Sequence, residues 1–303
     1  MTLWMRFVAP ALLAVSLGAQ ARVAGDVTTG GLSGADDRTQ AALRFAGTCL
    51  KTWQDRLALG NWHVSVEMAR AKDLRPKTVG QVEIDYPARR AVIQVLDPVD
   101  HRLPEDQMLA LVESVVVHEL VHISLTPVVG ALRGVESTDS EEERAVRHIT
   151  AALLAVSLGA QARAAGDVAT GGLSGADDRT QAALRFAGTC LKTWQDRLAL
   201  GNWHVSVEMA RAKDLRPKTV GQVEIDYPAR MAIIRVLDPA DHPLPEDQML
   251  ALVESVVVHE LVHISLTPVV GALRGVESTD SEEERAVRHI TAALLAAQNN
   301  GHN

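Results

Sequence analysis

Residues 115–122 read VVVHELVH, and the same eight letters recur unchanged at residues 256–263. Two histidines four positions apart on a helix share one face, with about 5–6 Å between their Cβ atoms. Both imidazoles can then bind one zinc ion, and a glutamate beside the first histidine can act on a metal-bound water. The HExxH pattern therefore predicts a zinc site on a helix in each half of the chain.

The helix that carries the first motif is apolar on both of its long sides. Pro104 fits its first turn, and the acidic Glu105 and Asp106 favour the positive end of the helix dipole. A helix that is apolar all round is expected to be buried. His118 and His122 would then need partners inside the core, which leaves two interpretations. They are either core histidines bonded to backbone carbonyls or ligands of a shared metal ion.

The chain contains nearly the same sequence twice. Residues 11–155 align with residues 152–296 at a constant offset of 141 positions. This period is far longer than the roughly 20–50 residues of solenoid repeats, so each copy is expected to be a whole domain. An unequal crossover within the shared string Ala-Leu-Leu-Ala would produce such a chain, as would an error of sequence assembly. Seven pairs differ: Val23/Ala164, Thr28/Ala169, Arg90/Met231, Val92/Ile233, Gln94/Arg235, Val99/Ala240 and Arg102/Pro243.

The charge and composition of the chain argue against some classes of binding partner. The net charge of -8 and the sequence pI near 5.8 argue against nucleic acid or an anionic membrane as the main partner. The length of 303 residues fits two domains, each long enough to bury a core without disulfides. Each copy has one cysteine, Cys49 or Cys190, within an apolar helical pattern. We expect buried free thiols, and a disulfide between the copies is the alternative.

The N-terminus has the pattern of a secretory signal peptide. Arg6 supplies the positive charge, residues 7–17 form the apolar segment, and the string Ala-Gln-Ala ends at Ala21. The apolar segment is shorter than the ~20 residues that a membrane span needs. We therefore predict a signal peptide at residues 1–21 and a secreted or periplasmic protein with no stable membrane span after cleavage. Copy one then covers residues 22–158 and copy two residues 159–303, with a linker at about 159–175.

Each copy begins with a helix and continues with short strands. In copy one, apolar residues recur at helical spacing over residues 36–59, and Gly60 is expected to end that helix. The pattern then changes to strict alternation, which predicts strands. A turn before Arg90 makes the last two strands a hairpin, so we expect a small, mostly antiparallel sheet. Its edge could pair with an extended peptide substrate. The predicted strands lie at residues 63–68, 79–84 and 90–95.

A third metal ligand is expected from the acidic segment at residues 137–146. Catalytic zinc usually has three protein ligands and a water. Ser140 and Glu143 have the spacing of a capping box, which starts a helix. Glu142 lies on the apolar stripe of that helix, where an unpaired carboxylate would be costly. Either Glu142 binds the metal, or the acidic turn only interacts with the helix dipole. The counterpart of Glu142 in copy two is Glu283.

An HExxH motif on a buried helix, followed by a helix with a glutamate in a Glu-x-x-Ala context, resembles the gluzincin branch of zinc metallopeptidases. The compact order of elements is similar to that of minimal gluzincins, and the resemblance covers nearly all of each copy. It implies an α+β fold of two tandem zincin-like domains. Each would have an N-terminal helix, a small sheet, a buried HExxH helix and a glutamate-bearing C-terminal helix.

The resemblance also implies an activity and a set of site residues. Each domain would bind one Zn²⁺ ion and hydrolyse peptide bonds in a peptide or protein substrate. The zinc ligands would be His118, His122 and Glu142 in copy one and His259, His263 and Glu283 in copy two, with Glu119 and Glu260 as the general bases.

The sequence departs from this family in one respect. It offers no clear second electrophile to stabilise an oxyanion; Tyr86 and His148 are candidates by residue type only. A non-catalytic binding or structural module stabilised by zinc is therefore the main alternative to a peptidase. A further alternative is that the copies differ in activity, because three of the variable pairs cluster in one predicted strand.

Overall fold

A computed structural model describes residues 3–8, 35–101, 103–129, 138–159, 176–242, 244–270 and 280–299. The predicted cleavage site after Ala21 and linker residues 160–175 lie outside these ranges. Contacts divide the chain into two compact units, Met1–Thr126 and Pro127–Asn303. The helix that ends copy one is grouped with the second unit. The boundary between copies at residue 158 stays a prediction.

The first unit combines helices with one sheet whose strand order is β1-β3-β4-β2. A 3₁₀ turn at Pro98–Asp100 follows the sheet, and its first N–H is capped by Asp97. The motif helix α2 ends just beyond the unit boundary. The elements are β1 (Leu3–Val8), α1 (Ala35–Arg56), β2 (His63–Ala69), β3 (Thr78–Asp85), β4 (Arg90–Leu96) and α2 (Glu105–Val129).

The second unit repeats the order of one helix, three strands and one helix, and has an additional helix at each end. Its sheet has three strands in the order β5-β7-β6. The chain is thus α+β, as predicted. The elements are α3 (Thr138–Gly159), α4 (Ala176–Arg197), β5 (His204–Ala210), a 3₁₀ turn (Ala212–Asp214), β6 (Gly221–Asp226), β7 (Met231–Leu237), α5 (Glu246–Val270) and α6 (Asp280–Asn299).

Both sheets are mixed: among the described strands, two of the three pairings in the first unit are antiparallel, as predicted, but only one of the two pairings in the second unit is. The predicted hairpin is confirmed: β3 and β4 are antiparallel, and the Arg89 N–H donates to the Tyr86 carbonyl at 3.1 Å in their turn. In contrast, β2 pairs with β4 in parallel, and β5 pairs with β7 in the same way. The chain leaves β2 at one edge and crosses to β3, and β4 then returns between β3 and β2, so β2 and β4 run in the same direction.

The two sheets differ at one edge. In the first unit, β1 pairs antiparallel with β3, with Leu3 opposite Ile84 and Met5 opposite Val82. In the second unit, β6 is the outermost of the described strands on that side. Because β1 lies within the predicted signal peptide, removal of residues 1–21 would leave the β3 edge without this strand.

Partly buried hydrogen bonds connect the motif helix to its neighbours. In the second unit, the Trp194 Nε1–H and the Gln298 side-chain amide both donate to Glu254 Oε1, at 3.0 and 2.9 Å. These bonds join α5 to α4 on one side and to α6 on the other. Trp53 makes the same bond to Glu113 in the first unit. Both tryptophans are almost fully buried.

The helices α2 and α5 are each long and apolar enough to cross a membrane, with a mean hydropathy of 1.6. The apolar stretch of α2 is 72% buried inside the protein, and that of α5 is 61% buried. Buried core helices pass the same test of length and composition, so this property is weak grounds for a membrane span. The absence of a stable span after signal cleavage stays a prediction.

The two cysteines are buried and free, as predicted. Burial raises the pKa of Cys49 to about 12, with a further contribution from the charge of Glu113. Burial raises the pKa of Cys190 to about 12 as well, with Glu254 in the same role. Thiols with such a high pKa are protonated at neutral pH and are therefore poor nucleophiles.

Candidate metal centre

The motif helix of each unit places its two histidines side by side. The Nε2 atoms of His259 and His263 lie 3.2 Å apart, and those of His118 and His122 lie 3.1 Å apart. Two nitrogens bound to one tetrahedral zinc at ~2.0–2.1 Å would be separated by roughly 3.3 Å. Both pairs therefore already have the spacing that a shared zinc ion requires.

In the second unit, a carboxylate completes this arrangement. Glu284, near the start of α6, has one oxygen 3.3 Å from the His259 Nε2 and the other 3.3 Å from the His263 Nε2. The ligand atoms of His259, His263 and Glu284 all lie within 4.8 Å of one another. Two imidazoles and a carboxylate form a common ligand set for catalytic zinc, which keeps a fourth position for water.

The neighbouring Glu283 has a different position. The Nδ1–H of His263 donates to Glu283 Oε1 at 2.8 Å. A carboxylate at Nδ1 fixes the orientation of the imidazole and leaves Nε2 directed at the metal. Burial alone would lower the pKa of His263, but its hydrogen bonds with Glu283 and Glu284 outweigh burial and raise the pKa to about 9. Both carboxylates thus favour the protonated, positively charged form of the His263 imidazole.

The sequence predicted Glu283 as the third ligand and did not single out Glu284. Glu283 was chosen because it lies on the apolar stripe of its helix, and its side chain is indeed the less exposed, at 17% against 43% for Glu284. A metal site that opens to solvent does not require its ligands on the most buried stripe. The ligand role of Glu283 stays a prediction, and the geometry brings Glu284 to both Nε2 atoms.

The predicted site residues of copy one belong to different units: the motif residues to the first and Glu142 to the second. His118 and His122 are buried in α2, and Glu119 between them is fully buried. Glu142 lies in α3, in the second unit, and is 5% exposed. Its prediction as a buried residue on the apolar stripe is confirmed, whereas its role as a metal ligand stays a prediction.

Glu260, the predicted general base of copy two, is buried beside the two histidines. Burial raises the pKa of Glu260, although the charges of His263 and His259 act in the opposite direction. Its Oε1 lies 3.3 Å from the position that a Cβ on Gly221 would occupy. The carboxylate therefore reaches the edge of the sheet. A carboxyl group with a raised pKa takes up a proton more readily near neutral pH.

A cleft of about 610 Å³ contains these groups in the second unit. It is lined by β6 and the loop before it, by the motif region of α5, and by the first turns of α6. Neither Tyr227 nor His289, the copy-two counterparts of the two oxyanion candidates, is among the described residues that line it. Tyr227 instead packs on Trp203, with ring centroids 5.9 Å apart.

Gly221 lets the motif helix approach the sheet closely, because a Cβ at this position would overlap Cγ1 of Val256. We expect Gly221→Ala to lower the free energy of unfolding by about 1–3 kcal/mol, as overpacking usually does. The loss should become much smaller when Val256→Ala is already present, since that substitution removes the overlapping atom. Urea unfolding of the two single variants and the double variant measures this coupling, and strictly additive losses would contradict it.

Comparison of the chain with protein-family models, with curated proteins and with solved structures finds no match. The resemblance to gluzincins therefore stays a prediction. Any function has to be inferred from the geometry of the site itself.

Proposed function

We propose that this protein is a zinc-dependent peptidase and that its copy-two site holds zinc through His259, His263 and Glu284. The observation that supports this proposal most directly is the position of one carboxylate against both imidazoles: the two Nε2 atoms lie 3.2 Å apart, and Glu284 places Oε1 3.3 Å from His259 Nε2 and Oε2 3.3 Å from His263 Nε2. The separation of the two nitrogens is close to that expected for two ligands of a tetrahedral zinc ion. The identical motif in copy one extends the proposal to His118 and His122.

The residues around this site have complementary roles in the proposed hydrolysis. Bound zinc would acidify a water and polarise the peptide carbonyl. Glu260 would accept a proton from the attacking water and return it to the nitrogen of the leaving amine. Glu283 would keep His263 in one orientation through its Nδ1 hydrogen bond. The raised pKa of Glu260 suits this exchange of a proton at neutral pH.

The outer strand β6 offers a place for the substrate backbone. It lines the cleft together with His259 and Glu260, and edge strands bind extended peptides through main-chain hydrogen bonds. A peptide paired with β6 would carry its scissile bond past the motif helix. Secretion through the signal peptide at residues 1–21 is part of the same proposal, because an exported peptidase would act on peptides outside the cytoplasm.

Zinc content, measured by elemental analysis of the full chain and of two single variants, tests the proposed ligands. We expect about two zinc ions per wild-type chain and a clear loss at one site in Glu284→Ala. Glu283→Ala should retain zinc but bind it about 10–100-fold more weakly, because it removes only the partner of a ligand. The reverse pattern would make Glu283 the ligand.

A screen for cleavage of a mixed peptide pool then distinguishes between a peptidase and a non-catalytic, zinc-stabilised module. Cleavage that depends on zinc supports the peptidase. Zinc bound at both sites without cleavage of any peptide would instead favour a zinc-stabilised binding module. If the chain binds no zinc after metal supplementation, the histidines are core residues and not metal ligands, and the proposal is overturned.

A further inference from the structure

The copy-two cleft is lined by as many basic as acidic side chains, although the chain as a whole carries a net charge of -8. Its carboxylates all belong to the candidate metal site, where a zinc ion would offset two of their three charges. Three cations line the same cleft, so the cleft would be positive once zinc is bound. The carboxylates are Glu260, Glu283 and Glu284, and the cations are Arg216, Lys218 and Arg288.

Two of these cations lie on the loop that leads into β6, and the loop is held in place. The Arg216 N–H donates to the Gln222 side chain at 3.2 Å, and the Thr219 hydroxyl donates to the Arg216 carbonyl at 2.9 Å. Lys218 has a φ of 68°, a left-handed turn conformation.

The third cation flanks the site from the other side. Arg288 lies one turn beyond Glu284 on α6, with its Nε 3.8 Å from the Glu284 carboxylate and its side chain 63% exposed. A contact of this length on an exposed side chain is weak. The Arg288 Nε–H also donates to the Glu284 backbone carbonyl at 3.2 Å, and the exposed end of the side chain can contact a ligand that enters the cleft.

The first unit shows how an extended chain sits on this type of edge. Residues 78–85 have the same sequence as residues 219–226. In the first unit, this sequence pairs antiparallel with β1, for example Met5 with Val82. The residue equivalent to Val82 in copy two is Val223, which lines the cleft. An incoming peptide can therefore be expected to pair with β6 in the same direction.

We propose that the copy-two cleft binds extended acidic peptides, whose backbone pairs antiparallel with β6 while their carboxylates contact Arg216, Lys218 and Arg288. This inference rests on the proposed peptidase function and names its substrate class. Single-stranded nucleic acid is also anionic, but it usually needs aromatic side chains on which bases stack. None of the described residues lining the cleft is Phe, Tyr or Trp.

Peptide binding to the zinc-loaded full chain with Glu119→Gln and Glu260→Gln tests this proposal without turnover. The probes are three fluorescent peptides of equal length in which the same positions are Glu, Gln or Lys. We expect the Glu peptide to bind about tenfold more tightly than the Gln peptide at low salt, with the Lys peptide weakest; a tenfold ratio corresponds to about 1.4 kcal/mol. Added salt should reduce this preference, because it screens exposed charges.

Two further variants assign the preference to the cleft. Arg216→Gln with Lys218→Gln should reduce binding of the Glu peptide about tenfold and leave the Gln peptide unchanged. Lys192→Gln with Lys213→Gln is the matched control, because both lysines are exposed, neither lines the cleft, and the net charge changes equally. Equal losses in both double variants would mean a general charge effect and would overturn the proposal.

The remaining outcomes separate this inference from the proposed function. Zinc-dependent cleavage by the wild type with equal binding of the Glu and Gln peptides would keep the peptidase and overturn the acidic preference. Acidic binding that depends on Arg216 and Lys218 without any cleavage would keep the binding site and overturn the peptidase. Tighter binding of an oligonucleotide than of the Glu peptide, lost in the same variant, would overturn a peptide as the ligand.

Discussion

Replacement of both motif glutamates, Glu119→Gln and Glu260→Gln, is expected to reduce peptide hydrolysis by about 10²–10⁴-fold, the usual contribution of a general acid–base group. Glutamine has nearly the same size as glutamate but cannot take up and return a proton. Because Glu260 is 5% exposed and Glu119 fully buried, the substitution removes a buried carboxylate without creating a cavity. The zinc ligands are unchanged, so zinc content should remain that of the wild type. Initial rates and elemental analysis on the same preparation check both expectations.

The matched control changes a carboxylate on each motif helix that does not reach the site. Asp106 and Asp247 occupy the first turns of α2 and α5 and are exposed. Asp106→Asn with Asp247→Asn should leave hydrolysis within about twofold of wild type, since surface changes away from a site have small effects. Retention of full activity in the Glu119→Gln and Glu260→Gln double variant would remove the general base from the mechanism.

The two single variants also show whether both copies work. If each copy hydrolyses peptide, Glu260→Gln alone should retain the activity of copy one, and Glu119→Gln alone should retain that of copy two. A complete loss in only one of the two single variants would assign all activity to the copy whose glutamate was replaced.

Local patterns made several elements predictable from the sequence. The 3.6-residue spacing of apolar residues predicted α1, and the alternation predicted β2, β3 and β4 with nearly the observed bounds. The end of α1 was less accurate. The helix ends at Arg56, before the predicted residue, and Ala58 adopts a left-handed conformation with a φ of 52°. Gly60 is the residue that usually takes this role, so the pattern placed the end too late.

Relations between distant segments were not predictable in the same way. Alternation does not encode the direction of a neighbouring strand, so the parallel pairing of β2 with β4 was missed. Similarly, an apolar segment with one arginine is equally compatible with a signal peptide and with a strand, and only pairing to β3 reveals β1. Glu284 was missed because helix phase identifies the buried stripe, while the position of the histidines on α5 decides which carboxylate meets them.

Removal of zinc by a chelator is expected to lower the melting temperature of the protein on the order of 10 °C. A ligand present at 1,000 times its Kd stabilises the folded state by about 4.1 kcal/mol, and each kcal/mol shifts the transition by ~2–4 °C in a domain of this size. The effect has a structural origin in the second unit, where the site joins α5 to α6.

Thermal unfolding by circular dichroism, with zinc and then with chelator, measures this shift, and added magnesium controls for a general salt effect. Glu284→Ala supplies the internal comparison, because it removes a proposed ligand from copy two only. Its second unit should unfold at nearly the same temperature with and without zinc, whereas the shift attributed to copy one should persist. Identical melting of the wild type with zinc and with chelator would mean that the histidine pairs do not hold a stabilising ion. The hydrogen bonds between Glu254, Trp194 and Gln298 would then account for the position of the motif helix.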